Sequence, residues 1–102
     1  MAAEVIWSHE ALDDVESIAD YIGRDSPNHA RRVVEALFEL ADSLVAHPRA
    51  GRVVPELNDA HIRERFLYSY RMLYEIGADR IAILAVIHGA RLLESYGTRF
   101  DP

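Results

Sequence analysis

Hydrophobic residues in this 102-residue chain follow two different periods, helical in the first half and alternating in the second. A short run, Glu4 to Trp7 (EVIW), comes first, and its β-branched and aromatic residues predict a strand. Ala11, Leu12, Val15, Ile18, Ala19 and Ile22 then recur at helical spacing, while Asp13, Asp14, Glu16, Ser17 and Asp20 fill the opposite side. Ser8 is placed to cap this helix, Glu10 suits its first turn, and Gly23 marks its end. Ser26 as N-cap with Pro27 at the first helical position opens a second helix. Its apolar face runs through Val33, Val34, Leu37, Phe38, Leu40, Ala41, Leu44 and Val45, and Pro48 stops it after His47. Two helices joined by so short a connection form an antiparallel hairpin.

Pro48 to Ala60 reads as a loop of turn formers fixed by Gly51 and Pro55, with Val53-Val54 as a buried anchor. Beyond it the period becomes two. Ile62, Glu64 and Phe66 point one way on a first strand, with Arg63, Arg65 and Leu67 opposite. Tyr70, Met72, Tyr74 and Ile76 oppose Arg71, Leu73 and Glu75 on a second. The third, Ile81 to His88 (IAILAVIH), is apolar on both faces, which marks an interior strand. Tyr68-Ser69 and Gly77-Ala78-Asp79 supply the hairpin turns. The chain therefore predicts one α+β domain over residues 1–102: an N-terminal strand, a two-helix hairpin and a three-stranded antiparallel sheet, in the order β-α-α-β-β-β. The helices cover one sheet face and leave the other partly open. A turn of helix over Arg91 to Tyr96 and a frayed tail complete the expectation.

Composition narrows the function. Half the residues are hydrophobic and 27% are charged, as in a globular protein. No apolar run approaches the roughly 20 residues of a membrane helix, and MAAEVIWSHE does not read as a signal peptide, so a cytoplasmic, membrane-free protein is expected. The absence of cysteine excludes disulfides and thiolate metal sites. Residues 1–47 hold ten acids against three arginines, whereas residues 48–102 hold seven acids against eight arginines. All eleven basic residues are Arg, a planar fork suited to phosphate or carboxylate. The net charge of −6 argues against non-specific nucleic-acid binding, and no sequence-specific DNA binding is expected.

Metal sites, Ser-His-Asp triads and phosphate-cradling glycine loops find no support, and no cofactor is expected. His29 and His47 lie at opposite ends of the second helix, and the carboxylates of the first form a solvated face. One constellation remains: Arg63, Arg65, Tyr70, Arg71, Tyr74, His88 and Arg91, with Glu56 at the approach to the sheet. Metal-free RNA cleavage needs a base for the 2′-hydroxyl, a cation for the phosphorane and an acid for the leaving oxygen. Glu or His, Arg, and His or Tyr supply those roles. The competing structural account pairs Arg63, Arg65 and Arg71 with Glu64 and Glu75 across strands, packs the tyrosines into the sheet, and leaves His88 in the core.

From Val5 to about Leu93 the chain resembles the RelE/ParE superfamily of type II toxin–antitoxin toxins, also known as plasmid stabilisation proteins. The resemblance rests on VIWSHEALDDVESIADYI, DSPNHARRVVEAL, HPRAGRVVPEL, IRERF, YRMLYEI and AVIHGAR, in that order. It implies a microbial RNase-type toxin fold and a cognate antitoxin whose amphipathic C-terminal segment wraps the toxin, with acids directed at Arg63, Arg71 and Arg91. RelE-like members cleave mRNA in the ribosomal A site, and ParE-like members poison DNA gyrase. On a nuclease reading, the resemblance makes Glu56 the base, Arg71 the phosphate clamp and His88 or a tyrosine the acid. The chain departs from that branch in having no lysine, a net charge of −6, and His88 where many nucleases carry an arginine. A further departure is that the branch's terminal Tyr or His has only Tyr96 to answer it. The ending IHGAR resembles the ParE branch, for which Arg63, Arg71, His88 and Arg91 become contact residues. The expectation is a ParE-like gyrase inhibitor, with a ribosome-dependent mRNA endonuclease or a non-toxic partner-binding relative as alternatives.

Overall fold

A computed structural model describes residues 4–89 and Arg99. The N-terminal strand β1 (Glu4–Trp7) leads into helix α1 (His9–Gly23). The Ser8 hydroxyl accepts the Ala11 N–H at 3.0 Å, satisfying one of the donors that a helix start leaves unpaired. Helix α2 (Pro27–Ser43) starts the same way, with Ser26 accepting from the His29 N–H and Pro27 in the first turn. It ends at Ser43, one turn before the position the apolar spacing suggests. There the Leu44 and Val45 N–H groups bond three residues back, to Ala41 and Asp42, and the Ser43 hydroxyl donates to the Leu40 carbonyl. These tighter turns consume the carbonyls a further α-turn would need.

Four more strands follow: β2 (Arg52–Val53), β3 (Ile62–Leu67), β4 (Tyr70–Ile76) and β5 (Arg80–His88). The sheet is mixed and five-stranded, in the order β1-β5-β4-β3-β2. β1 pairs with β5 in parallel, from Glu4 opposite Arg80 to Trp7 opposite Ile83, and the remaining pairs are antiparallel. The alternation predicted the three central strands and the faces of β3 and β4. It did not predict β2, whose two residues are too few to show a period.

Alternation sorts the side chains into two cores. Tyr70, Met72, Tyr74 and Ile76 of β4 join Ile81, Ile83 and Val86 of β5 beneath Ala11, Val15, Val33, Leu37, Ala41 and Leu44 of the hairpin. The other face is less open than expected. Val54, Leu73, Ala85 and Ile87 form a second buried cluster, with Leu57 and Ile62 packed on it, so the loop after β2 roofs part of that face. Within the expected anchor only Val54 is buried, while Val53 is exposed.

β5 carries a bulge. Leu73 pairs with Ala85 but Tyr74 pairs with Ile83, which leaves Leu84 as the extra residue. The start of α1 braces it: the Ser8 hydroxyl donates to the Leu84 carbonyl, and the Val86 N–H donates to Asp14 Oδ2 at 3.0 Å. Asp14 also receives Arg99 at 2.8 Å, so this half-buried carboxylate is turned to the sheet and does not belong to the solvated helix face.

Candidate functional site

The outer sheet face centres on Arg71. Its position on β4, between β3 and β5, leaves the residue 4% exposed, and two carboxylates surround its guanidinium. Glu64, directed to the same face from β3, accepts Nε at 2.8 Å and also Nη2. Glu56, carried by the loop, accepts Nη1 and Nη2 at 3.1 Å each in a bidentate pair. The second oxygen of Glu64 accepts Arg52 Nε from β2, and the Arg52 guanidinium lies 5.6 Å over the ring of Phe66. Two arginines and two carboxylates thus form a chain of zero net charge from β2 to the roof loop.

The electrostatics follow from that geometry. The hydrogen bonds from Arg71 hold the Glu56 carboxyl below its ordinary range, against the opposing effect of partial burial. Burial works against the charge on Arg71, yet hydrogen bonds and attraction from Glu56 and Glu64 together outweigh it and raise its pKa. Both groups are therefore fixed in their charged forms. Glu56 is a poor proton acceptor in this state, and most donors of Arg71 are already engaged.

The other candidate residues lie elsewhere. Tyr70, Tyr74, Arg63 and Arg65 occupy the face that the helices cover. The rings of Tyr70 and His88 meet edge-on with centroids 6.0 Å apart. Tyr74 is fully buried; its hydroxyl donates to the Pro48 carbonyl at 2.7 Å and accepts the Gly51 N–H at 2.9 Å. Arg63 Nη1 donates to the Gly51 carbonyl at 3.0 Å. Arg65 pairs with Met72 across the ladder, and Arg91 and Tyr96 lie outside the described residues. Glu56 and Arg71 are thus brought together, whereas His88 is on the opposite side of the sheet. The bulge decides this. Without the extra Leu84, the register from Tyr74–Ile83 would set His88 opposite Ser69, on the face of Arg71; with it, His88 faces Tyr70. Sequence reasoning missed Arg52 as a member of the network, because its strand is too short to declare a face. Glu64 was legible as a cross-strand acid, and its partner proves to be Arg71.

Among the described residues no group of three or more His, Asp or Glu side chains is placed to hold a metal ion. No helix among them is long and apolar enough to cross a membrane.

Comparison with known proteins agrees with this architecture. The sequence pattern of the ParE toxin of the type II toxin–antitoxin system parDE matches residues 5–93. The chain belongs to that ParE/RelE family of type II toxins. It is 37% identical over 91 residues to Toxin RelE2 of Caulobacter vibrioides, covering 88% of this chain and 99% of that protein. Its fold is shared with a chromosomal ParDE system of P. aeruginosa, at a TM-score of 0.71 and 20% identity, over 85% of this chain and 96% of the other. The RelBE2 toxin–antitoxin complex of Mycobacterium tuberculosis superposes with a TM-score of 0.64 at 24% identity, over 86% and 99% of the two chains. A mutant of E. coli toxin RelE in the free state gives 0.65 at 20% identity, over 94% and 92%.

Proposed function

We propose that this toxin acts by stoichiometric binding to a large cellular target, with DNA gyrase as that target, and that a cognate antitoxin neutralises it. The observation that carries the reading is the state of Arg71. A phosphate clamp needs free donors and a general base needs a free carboxylate. Here Arg71 and Glu56 occupy each other, Glu64 takes a further share of the guanidinium, and His88 stands on the far side of the sheet. A binding toxin requires no such convergence. Surface groups such as Leu12, Tyr21 and Phe38 on the helix pair, all exposed, suit an amphipathic antitoxin segment.

The name of the RelE2 relative favours a second reading, ribosome-dependent mRNA cleavage, in which Glu56 must leave Arg71 before either group can act. One assay set separates the two. Purified chain is titrated into gyrase supercoiling reactions and, in parallel, into ribosomes programmed with defined mRNA. The expected result is loss of supercoiling near one toxin per gyrase subunit, with mRNA intact. Cleavage at defined codons, abolished by Arg71→Ala, would overturn the proposal in favour of the nuclease.

A further inference from the structure

A groove with no part in the network above opens between the segment after α2 and the turn between β4 and β5. Its volume is about 660 Å³, and it is open along one side. Val45, Ile76 and Ile81 give it an apolar lining, and His47, Arg49 and Arg80 add cationic or titratable groups. No carboxylate among the described residues lines it, although the chain as a whole carries a net charge of −6. Glu4 and Asp79 are neighbours of Arg80 by strand register and by sequence, yet neither forms an ion pair with it. Arg49 and Arg80 are both exposed and make no ion pair or side-chain hydrogen bond among the described residues, unlike Arg52, Arg71 and Arg99.

The wall that carries Arg49 is held in place. Pro48 and Gly51 on either side of it are bonded to the buried Tyr74 hydroxyl, and Arg63 holds the Gly51 carbonyl. Gly51 itself admits no side chain, since an added Cβ would lie 2.5 Å from the Glu64 carbonyl oxygen. The two arginines therefore sit on fixed supports, one on the braced loop and one at the start of β5. The braced backbones keep the two guanidiniums beside the apolar floor, although each exposed side chain still gives up rotamer freedom when an anion arrives.

We propose that this groove is a docking site for an acidic peptide segment of a partner protein. An apolar side chain of the segment rests on Val45, Ile76 and Ile81, and flanking carboxylates reach Arg49 and Arg80. Charge complementarity selects the acidic ligand. The open side favours a continuous chain, because pockets for small molecules enclose most of the ligand's surface, roughly 70–90%. The inference is independent of whether gyrase or the ribosome is the toxin's target.

The test uses full-length ¹⁵N-labelled protein and the synthetic peptide Ac-Glu-Glu-Leu-Leu-Glu-Glu-NH2. Saturable amide shifts are expected at Ala50, Gly77 and Ala78, and they should be absent with Ac-Lys-Lys-Leu-Leu-Lys-Lys-NH2. Arg49→Ala/Arg80→Ala should weaken binding about tenfold, the combined effect of two exposed ion pairs. Arg49→Glu/Arg80→Glu should transfer the preference to the lysine peptide, which a merely unfolded variant would not do. Three results would overturn the proposal: no localised shifts at millimolar peptide, equal binding when the leucines are replaced by serine, or equal binding of octanoate or inorganic phosphate at the same amides. The last would make the groove a small-anion site.

Discussion

Arg71 has an unusual position for a charged side chain: an interior strand, 4% exposed, against a Glu64 that is 1% exposed. Removing Arg71 leaves the buried Glu64 with Arg52 as its remaining cation among the described residues, and a buried charge short of compensation costs more than the pair contributes over an apolar substitute. Arg71→Ala should therefore destabilise the fold by about 3–5 kcal/mol, measured by urea denaturation. Arg71→Met combined with Glu64→Leu should recover much of that loss, because neither charge is then stranded. If the double variant is no more stable than Arg71→Ala, the desolvation argument fails. Glu56 gives a milder effect with a defined pH dependence. Its folded pKa lies below the ordinary 4.5, so its contribution is in place above about that pH and is lost as pH falls through the folded value. The stability gap between the natural chain and Glu56→Gln should be constant from pH 7 to 5 and should close below 4.5. A gap that widened in acid would show that Glu56 does not hold its charge against Arg71.

At the level of elements, β5 and α1 are tied together more closely than their separate patterns suggest. Ser8 caps α1 and also bonds the carbonyl of the bulged Leu84, while Asp14 takes the Val86 N–H just beyond. Ser8→Ala loses both functions and should cost about 1–2 kcal/mol, the upper part of the range for a helix cap. Faster hydrogen exchange at the Val86 amide should accompany it, because the brace on the bulge is weakened; unchanged exchange there would separate the cap from the bulge. The sequence made Ser8 legible as a cap, since that is a local signal. It could not reveal the bulge, because IAILAVIH is apolar throughout and a one-residue shift in it changes no visible pattern. The same shift decides where His88 goes. Of the three proposed nuclease groups, Glu56 and Arg71 meet through a loop contact that no local pattern declares, and His88 is set apart by the bulge.

For the molecule as a whole, the order of elements followed from periodicity, whereas the mixed sheet and its second core depend on contacts between residues far apart in sequence. The charge distribution depends on both. The second half of the chain looks basic as a sequence, with eight arginines against seven acids. Among the described residues, folding engages three of those arginines with carboxylates: Arg52 and Arg71 in the outer-face network, and Arg99 with Asp14. Arg63 is directed at a backbone carbonyl instead of outward. Of the described arginines of that half, Arg49, Arg65 and Arg80 are left to meet a phosphate backbone, and the helical half carries ten acids against three arginines. Binding to free nucleic acid depends on the number of phosphates neutralised and the counterions released. The chain should therefore show no retardation of a 30-nucleotide RNA or a duplex DNA at 150 mM salt, even at concentrations near 100 μM, where non-specific binders with Kd of roughly 10⁻⁴ to 10⁻⁶ M are already engaged. Lowering the salt to 20 mM should not restore a shift, because a molecule of net charge −6 is repelled more strongly as screening falls. A salt-sensitive shift at that concentration would mean that the Arg52–Glu64–Arg71–Glu56 network opens to expose its cations. It would also return the nuclease reading to first place.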